Sequence, residues 1–539
     1  MSLPVTPSEE TQASQRTRLK FAFKPRVTIE IILIGSIVFL GCLIRLINGP
    51  QPIDDAYITY RYVENIVSGN GFVYNIGEHV LGTTTPFYTL LLSLLFFIFR
   101  IDLPWLSLII NTAADAVTII LLWRISKHFL AEFETPAPFE FVTPLLFSIT
   151  AMSTNWCIGG METSVFSFLL ISSLYFFTVR NSAVLTAITA SLAVICRPEG
   201  IVLLGLILAY ILIFQRRGFL KTLLVVIITS APWLLFATFY FGNLIPQSII
   251  AKNSATYVVY NDFIEDFSVF WQLLADNPIG HLIGRYTSPS GFNTIMALMA
   301  LINFPLYLYG TLKFSKLKDR KYLLIPGFAF AFIGIYGLSI YKTPSLIFPW
   351  YTGPLAPWLL LLLTVCLAGL WQHLRKLPKL LDKFVQIMVI SFLIISVINQ
   401  LHGYNNGRSY IKTRGYYEQA AIFLRPYLKK DDLIAAPEIG ELGYFTKARI
   451  MDTVGLVSPE VLKFYPVPVS EQFAGNTIPT NLIIEYQPDY VVGVDIFMRN
   501  SLLKSLDFLK DYTLFKSWSD IEANSNKLLI FVKNSTLNK

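Results

Sequence analysis

Long apolar runs separated by short polar loops recur through the first 400 residues, and they constrain the fold more than any other feature. A helix that crosses a bilayer needs roughly 20 mostly apolar residues, and about 11 of these runs are candidates. They are Ile29–Leu46, Trp105–Trp123, Phe139–Met152, Thr163–Val179, Ser182–Cys196, Gly200–Phe214, Thr222–Phe241, Phe292–Leu312, Tyr322–Tyr341, Pro354–Leu370 and Phe384–Ile398. The 539-residue chain is 54% hydrophobic and only 14% charged, whereas proteins on average carry roughly 25% charged residues. We therefore expect an α-helical polytopic membrane protein.

The distribution of basic residues predicts which side each loop faces, because Lys and Arg accumulate in cytoplasmic loops. Whether the short run Phe87–Phe99 crosses the membrane decides the number of spans and the side that each later loop faces. If it lies along the outer surface, the strongly basic loops all fall in the cytoplasm: residues 1–26, 124–127, 216–221, 313–321 and 375–383. If it spans, the last two become external. We therefore predict a cytoplasmic tail at 1–26, a transmembrane domain at 27–400 and a first outer loop at 48–104 with surface helices. This arrangement in the inner or plasma membrane also accounts for the net charge of +8 without a nucleic-acid partner.

The composition changes after Gln400, where polar, charged and turn-forming sequence continues to Lys539. Tyr417–Leu428 has helical spacing. Short apolar segments at Leu433–Ala436, Ile450–Asp452, Tyr490–Val494 and Leu528–Val532 have the length and residue types of strands. We expect residues 401–539 to form an extracytoplasmic α/β domain on the same side as the first outer loop.

Two adjacent carboxylates, Asp54 and Asp55, follow the first apolar run within about a dozen residues, and charges so close to a membrane are costly and usually kept for function. Each later outer loop also carries polar groups. The candidate binding residues are Arg61, Glu162, Arg197, Glu199, Lys252, Lys342, Trp350 and Tyr351. A carboxylate can act as general base on a hydroxyl nucleophile. Arg and Lys can hold a phosphate and stabilise it as a leaving group. Trp350 and Tyr351 could stack on a sugar or line a lipid groove.

Structural roles for the same residues stay open. The aspartate pair could cap a helix, Glu162 could begin the next helix at its positive end, and Arg197 with Glu199 could close a helix hairpin as a salt bridge. Lys252 could be an interfacial lysine that extends toward the headgroups. The two aromatic residues could belong to an interfacial aromatic belt.

Several short motifs in order along the chain resemble the C-type polytopic glycosyltransferases, which have the GT-C fold. They are Asp-Asp-Ala-Tyr-Ile at 54–58, Gly-Met-Glu-Thr at 160–163, Arg-Pro-Glu-Gly at 197–200, Leu-Ile-Pro-Gln at 244–247 and Met-Asp-Thr-Val-Gly-Leu at 451–456. They are similar to bacterial members around the terminal arabinofuranosyltransferases.

The resemblance implies inverting transfer of a sugar from a polyprenyl-phosphate donor to an extracytoplasmic glycan, lipid or protein acceptor. The family's catalytic aspartate corresponds to Asp54 or Asp55, with Asp54 the first choice. Relatives that transfer aminoarabinose to lipid A have Glu-Lys-Pro before the surface helix, where this chain has Thr84-Thr85-Pro86. We therefore assign phosphate binding to Lys252 and Arg197.

Two other functional classes remain as alternatives: a transporter or flippase of polyprenyl-linked glycans, and a non-catalytic cell-envelope assembly subunit. A carrier predicts polar residues distributed through the spans, whereas here they concentrate at one face. No metal-binding spacing and no cofactor motif is present, although the sequence leaves use of a divalent metal open. The identity of the sugar and of the acceptor, and the oligomeric state, are likewise open.

Overall fold

The computed structural model describes residues 25–133, 137–254, 304–342, 349–374, 415–473, 476–521 and 526–537, with the single positions Lys383 and Ser391. Helices dominate the part before residue 375. They are α1 (Pro25–Asn48), α2 (Asp54–Val67), α3 (Pro86–Phe99), α4 (Leu103–Leu130), α5 (Val142–Ile149), α6 (Ala151–Ile158), α7 (Thr163–Thr178), α8 (Ala183–Cys196), α9 (Gly200–Phe214), α10 (Arg216–Phe241), α11 (Gln247–Ser254), α12 (304–314), α13 (Leu324–Lys342) and α14 (Ala356–Leu374). The predicted run Phe384–Ile398, most of Phe292–Leu312 and the tail 1–24 lie outside the described residues.

Four described helices are long and apolar enough to cross a bilayer; they coincide with α1, α4, α10 and α14. The pair α5 and α6, bent by 42° at the break between them, provides a fifth if it counts as one span. The helices α3, α7, α8 and α9 are apolar but shorter. These findings confirm a multi-pass membrane protein, while the count of eleven spans stays a prediction.

Helix α3 corresponds to the run that the distribution of basic residues predicts to lie along the outer surface. Its 14 residues extend about 21 Å at 1.5 Å per residue, against a hydrocarbon thickness of about 30 Å. One side buries Tyr88 and Leu92, while Leu94 and Phe97 on the other are exposed. This division suits a helix that lies against lipid with one face and on the protein with the other.

A buried ion pair joins α1 and α4 inside the helical domain. Arg45 Nε donates to Asp115 Oδ2 at 2.7 Å, and both side chains are almost fully enclosed. The same guanidinium donates to the carbonyl oxygens of Gly41 and Ser148, each at 2.9 Å. Because removing either charge would strand the other in an apolar environment, this pair fixes the packing of α1, α4 and α5.

The C-terminal part forms a five-stranded mixed sheet. Its strands are β1 (Leu433–Ala436), β2 (Arg449–Asp452), β3 (Tyr490–Val494), β4 (Tyr512–Ile521) and β5 (Asn526–Lys533), in the order β2-β1-β3-β5-β4. The first three in this order are parallel, and β5 and β4 add antiparallel pairs. Its helices are α15 (Tyr416–Leu424), α16 (Gly440–Thr446), α17 (Thr480–Tyr486), α18 (Leu506–Asp511) and α19 (Asn534–Leu537).

Both faces of this sheet are covered, as the alternation of side chains along a strand requires. Ile434 and Val492 pack with α15, α16 and the first outer loop. Ala435 and Val491 face the opposite way, toward α17 and α18. Residues of the first outer loop, Tyr62, Phe72 and Tyr74, complete the first of these cores. The sheet domain and the loop after α1 therefore share one apolar core and lie on the same side of the helical domain.

Candidate active site

The acidic pair occupies the first turn of α2, where exposed N–H groups favour negative charge. Ile53 is the N-cap and makes no side-chain capping bond. Its main-chain N–H donates to the carbonyl oxygen of Gly159 at 3.1 Å. A Cβ on Gly160, which has φ of +77°, would lie 2.3 Å from Tyr60 Oη. The glycine turn before Glu162 therefore packs directly on the start of α2.

Asp54 connects α2 to the sheet domain. Its Oδ2 accepts a hydrogen bond from the main-chain N–H of Gly440 at 2.9 Å, and its Oδ1 accepts one from Glu441 at 2.7 Å. The contact is close, because a Cβ on Gly440 would lie 1.8 Å from the Asp54 carbonyl oxygen. Asp54 thus caps α16, a helix 386 residues later in the chain.

Asp55 lies one position, or about 100°, further around the first turn of α2. Glu162 is buried, and this burial raises the pKa of its carboxyl group; Arg197 opposes the rise, and the charges of Glu199 and Asp55 add to it. Asp54 is therefore hydrogen-bonded to the sheet domain, whereas the charge of Asp55 acts on Glu162.

Arg197 binds two glutamates at once. Its Nη1 donates to Glu162 Oε1 at 3.0 Å, its Nη2 to Glu199 Oε1 at 2.8 Å and its Nε to Glu199 Oε2 at 3.4 Å. The Arg197 side chain is 4% exposed. Burial acts to raise the pKa of Glu199, but the charge and hydrogen bonds of Arg197 and a bond from Tyr336 outweigh it and lower the pKa to about 2. Arg197 therefore neutralises two carboxylates, Glu199 from its own loop and Glu162 from the loop before α7.

Aromatic residues extend this cluster toward Lys252. Tyr336 Oη donates to Glu199 Oε1 at 2.5 Å, and its ring stacks on Tyr351 with 5.3 Å between centroids. The guanidinium of Arg197 lies 5.2 Å from the Tyr351 ring centroid. Lys252 Nζ donates to Tyr351 Oη at 2.9 Å and is half-buried. Tyr351 therefore lies between the two basic residues predicted to bind phosphate.

The other predicted site residues have varied positions. Trp350 packs its ring against Trp156 at 6.0 Å and against Tyr351 at 6.1 Å. Arg61 lies apart from this cluster and binds the sheet domain, with Nη2 donating to the Ala448 carbonyl oxygen at 2.6 Å. The side chain of Lys342, the last residue of α13, lies outside the described part.

Glu441 is a residue that the sequence interpretation missed. Burial, with the nearby charge of Asp54, raises the pKa of its carboxyl group to about 8. Its Oε2 accepts a hydrogen bond from the Glu418 N–H at 3.1 Å. Nothing in the sequence marked Glu441, because its neighbours come from contacts between distant segments. Tyr336 did leave a signal, since it is a polar residue inside an apolar run.

Metal-ligating side chains do not converge in the described part of the chain: no three His, Cys, Asp or Glu residues there lie close enough to hold an ion.

The fold is similar to that of solved membrane proteins. ArnT from Cupriavidus metallidurans bound to undecaprenyl phosphate matches with a TM-score of 0.55 and 13% identity, over 94% of this chain and 97% of that one. The apo state of the same protein matches with a TM-score of 0.53 and 11% identity, over 94% and 98%. The arabinofuranosyltransferase AftD from Mycobacteria matches over 93% of this chain and 41% of that one, with a TM-score of 0.46 and 12% identity.

Sequence comparison adds a C-terminal match only. Residues 406–532 match a domain of unknown function (DUF8728), and no curated protein matches. The likeness to ArnT confirms the predicted fold class, a polytopic helical domain of the C-type glycosyltransferase kind followed by a small sheet domain.

Proposed function

We propose that this protein is a membrane glycosyltransferase that moves a sugar from a polyprenyl-phosphate donor to an acceptor hydroxyl outside the cytoplasm, with inversion at the anomeric carbon. One observation carries the proposal: the Glu162 loop packs on the start of α2, and Arg197 joins this loop to Tyr351 and Lys252. The fold supports it, because ArnT has this fold and was solved with undecaprenyl phosphate bound.

Asp55 is our choice as general base. Asp54 was the first choice from the sequence, but both of its oxygens accept main-chain hydrogen bonds from α16, which favours an anchoring role. In the reaction, the carboxylate of Asp55 takes the proton of the acceptor hydroxyl while the oxygen forms a bond to the anomeric carbon. The bond from that carbon to the phosphate oxygen breaks on the opposite face, and polyprenyl phosphate leaves with the electron pair.

Lys252 is proposed to hold the donor phosphate and to offset the charge that grows on it as the bond breaks. Arg197 was paired with Lys252 in the sequence interpretation. Its three hydrogen bonds to Glu162 and Glu199 support a positioning role instead. Tyr351 and Trp350 are proposed to line the path of the lipid or the sugar. Direct substrate contacts by Arg61 and Lys342 stay predictions from the sequence.

A transfer assay tests the function. Purified protein in nanodiscs is incubated with a panel of radiolabelled polyprenyl-phospho-sugars and with extracted envelope glycans and lipids. We expect label to move to an acceptor with one donor of the panel. A second experiment reconstitutes the protein in sealed vesicles. If labelled lipid crosses their bilayer and no transfer occurs in nanodiscs, the flippase alternative replaces this proposal.

Two variants test the base. Asp55→Asn keeps the shape and removes the basicity, so turnover should fall roughly 10²–10⁴-fold, whereas binding of undecaprenyl phosphate should persist. Asp54→Asn should be milder, and the exposed Asp507→Asn is the matched control. If Asp54→Asn lowers turnover more than Asp55→Asn does, the base is Asp54. Near-normal turnover of the Asp54→Asn/Asp55→Asn double variant would refute the mechanism.

A further inference from the structure

The motif Met451–Leu456 has no part in the chemistry proposed above, yet it forms a tightly held turn next to the site. The Asp452 side chain is fully buried. Its Oδ1 accepts a hydrogen bond from the N–H of Val454 at 2.9 Å, and its Oδ2 accepts bonds from Val457 at 3.1 Å and from Leu456. The N–H of Thr453 donates to the Ala436 carbonyl oxygen at 2.9 Å, which ties the turn to β1.

Gly455 connects this turn to the start of α11. Its φ of +93° is a conformation that other residues rarely adopt, and a Cβ there would lie 2.6 Å from Leu462. The Gly455 carbonyl oxygen accepts a hydrogen bond from Gln247 Nε2 at 3.2 Å. Gln247 is the first residue of α11, and Lys252 belongs to the same short helix.

The turn and α11 both meet the first outer loop. The main-chain N–H of Gln247 donates to the Leu81 carbonyl oxygen at 2.7 Å. A Cβ on Gly82 would lie 2.8 Å from the Leu456 carbonyl oxygen, so the two backbones are in direct contact. Tyr62 secures this loop to α2, because its Oη accepts a hydrogen bond from the Gly82 N–H at 3.0 Å. Helix α11 also packs on the 3-10 helix Pro459–Phe464.

We propose that Asp452 and Gln247 are positioning residues that hold Lys252 at the donor phosphate, so that the sheet domain sets the affinity for the donor. This inference rests on the proposed function. The buried carboxylate shapes the turn, the turn presents the Gly455 carbonyl oxygen, and Gln247 binds it at the start of α11. Near the other end of α11, Lys252 donates a hydrogen bond to Tyr351. The helix is therefore held both at its first turn and near its end.

The test measures binding of undecaprenyl phosphate to the full-length protein in nanodiscs, together with donor KM and kcat. Gln247→Ala leaves the Asp452 turn intact and removes one hydrogen bond to a neutral group, so binding should weaken roughly two- to tenfold. Donor kcat/KM should fall by at least the same factor, because Lys252 also offsets the charge that grows on the leaving phosphate. Asp452→Asn should act in the same direction, and the exposed Gln419→Ala should behave as wild type.

A double-variant comparison separates positioning from a general structural role. If Gln247 acts through Lys252, adding Gln247→Ala to Lys252→Ala should cause no further loss of undecaprenyl phosphate binding. Additive losses, or wild-type affinity in Gln247→Ala, would overturn the inference while leaving the proposed function in place. Failure of the wild-type protein to bind undecaprenyl phosphate would refute the donor class itself, and the inference with it.

Discussion

The Arg197→Ala substitution should destabilise the protein rather than only weaken donor binding. Arg197 makes three hydrogen bonds to Glu162 and Glu199, and these carboxylates are only 3% and 20% exposed. Removing one partner of a buried ion pair typically costs about 3–5 kcal/mol, because the remaining charge has lost its compensation. Here two carboxylates would lose it together, so we expect a loss of at least about 3 kcal/mol.

The stability difference between the wild type and Arg197→Ala should change with pH in a definite direction. In the wild type the pKa of Glu199 is lowered to about 2 from its usual 4.5, so its stabilising contribution is present above pH 4.5 and is lost as pH falls toward 2. Without Arg197, burial raises the pKa of both carboxyl groups, the charge of Glu199 adds to the rise at Glu162, and the bond from Tyr336 still opposes the rise at Glu199. Their contribution would then be present at low pH and lost as pH rises. The stability gap between wild type and variant should therefore widen as pH rises from 4.5 to 7.5.

The assay is unfolding of detergent-solubilised protein by titration with sodium dodecyl sulfate, followed by tryptophan fluorescence at several pH values. The control is Lys463→Ala, which removes an exposed pair with Glu485 and should leave the unfolding midpoint close to that of the wild type. Arg197→Lys should be intermediate, because lysine keeps the charge but cannot bind both glutamates in the same geometry. Wild-type stability of Arg197→Ala, or a gap that does not change with pH, would refute the reasoning.

Three further predictions concern the sheet domain and the topology. The pKa of Glu441 is raised to about 8 from its usual 4.5, so its contribution to stability is present below pH 4.5 and lost as pH rises through 8; the melting temperature should fall over that range, and Glu441→Gln should remove this dependence. Gly440→Ala places a methyl group against the main chain at the start of α2 and should cost at least about 2 kcal/mol, read as earlier release of the sheet domain in limited proteolysis. Cysteines replacing Ser68 or Ser470 should react with an impermeant thiol reagent in intact cells, whereas one replacing Lys318 should react only after permeabilisation; the opposite pattern would reverse the topology.

Sequence periodicity was enough to predict many of the regular elements. The predicted run Gly200–Phe214 coincides with α9, and the segments at 433–436 and 490–494 coincide with β1 and β3, because long and short apolar runs are local signals. The break between α5 and α6 at Thr150 was missed, because no glycine or proline stands there to mark it. Strand β4 was missed because it is an edge strand with mostly exposed side chains.

The sequence predicted the residues of the candidate site better than the hydrogen bonds and ion pairs between them. The possibility of a salt bridge between Arg197 and Glu199 was visible from their spacing, and the structure contains it. The bonds of Arg197 to Glu162 and of Asp54 to α16 could not be predicted, because they join segments 35 and 386 residues apart. No local pattern reports such contacts. The roles of Asp54, Asp55 and Lys252 remain proposals.

The hydrogen bonds between Asp54 and α16 have a consequence for biogenesis. At a synthesis rate of 5–20 residues per second, the 386 residues between Asp54 and Gly440 take on the order of 20–80 s to make. The first outer loop is therefore synthesised long before the helix that Asp54 caps. During that interval the acidic pair has no partner from the sheet domain, and a ribosome that stalls before codon 440 leaves a membrane-inserted chain with an unfinished site. Only complete translation brings Asp54 and α16 together.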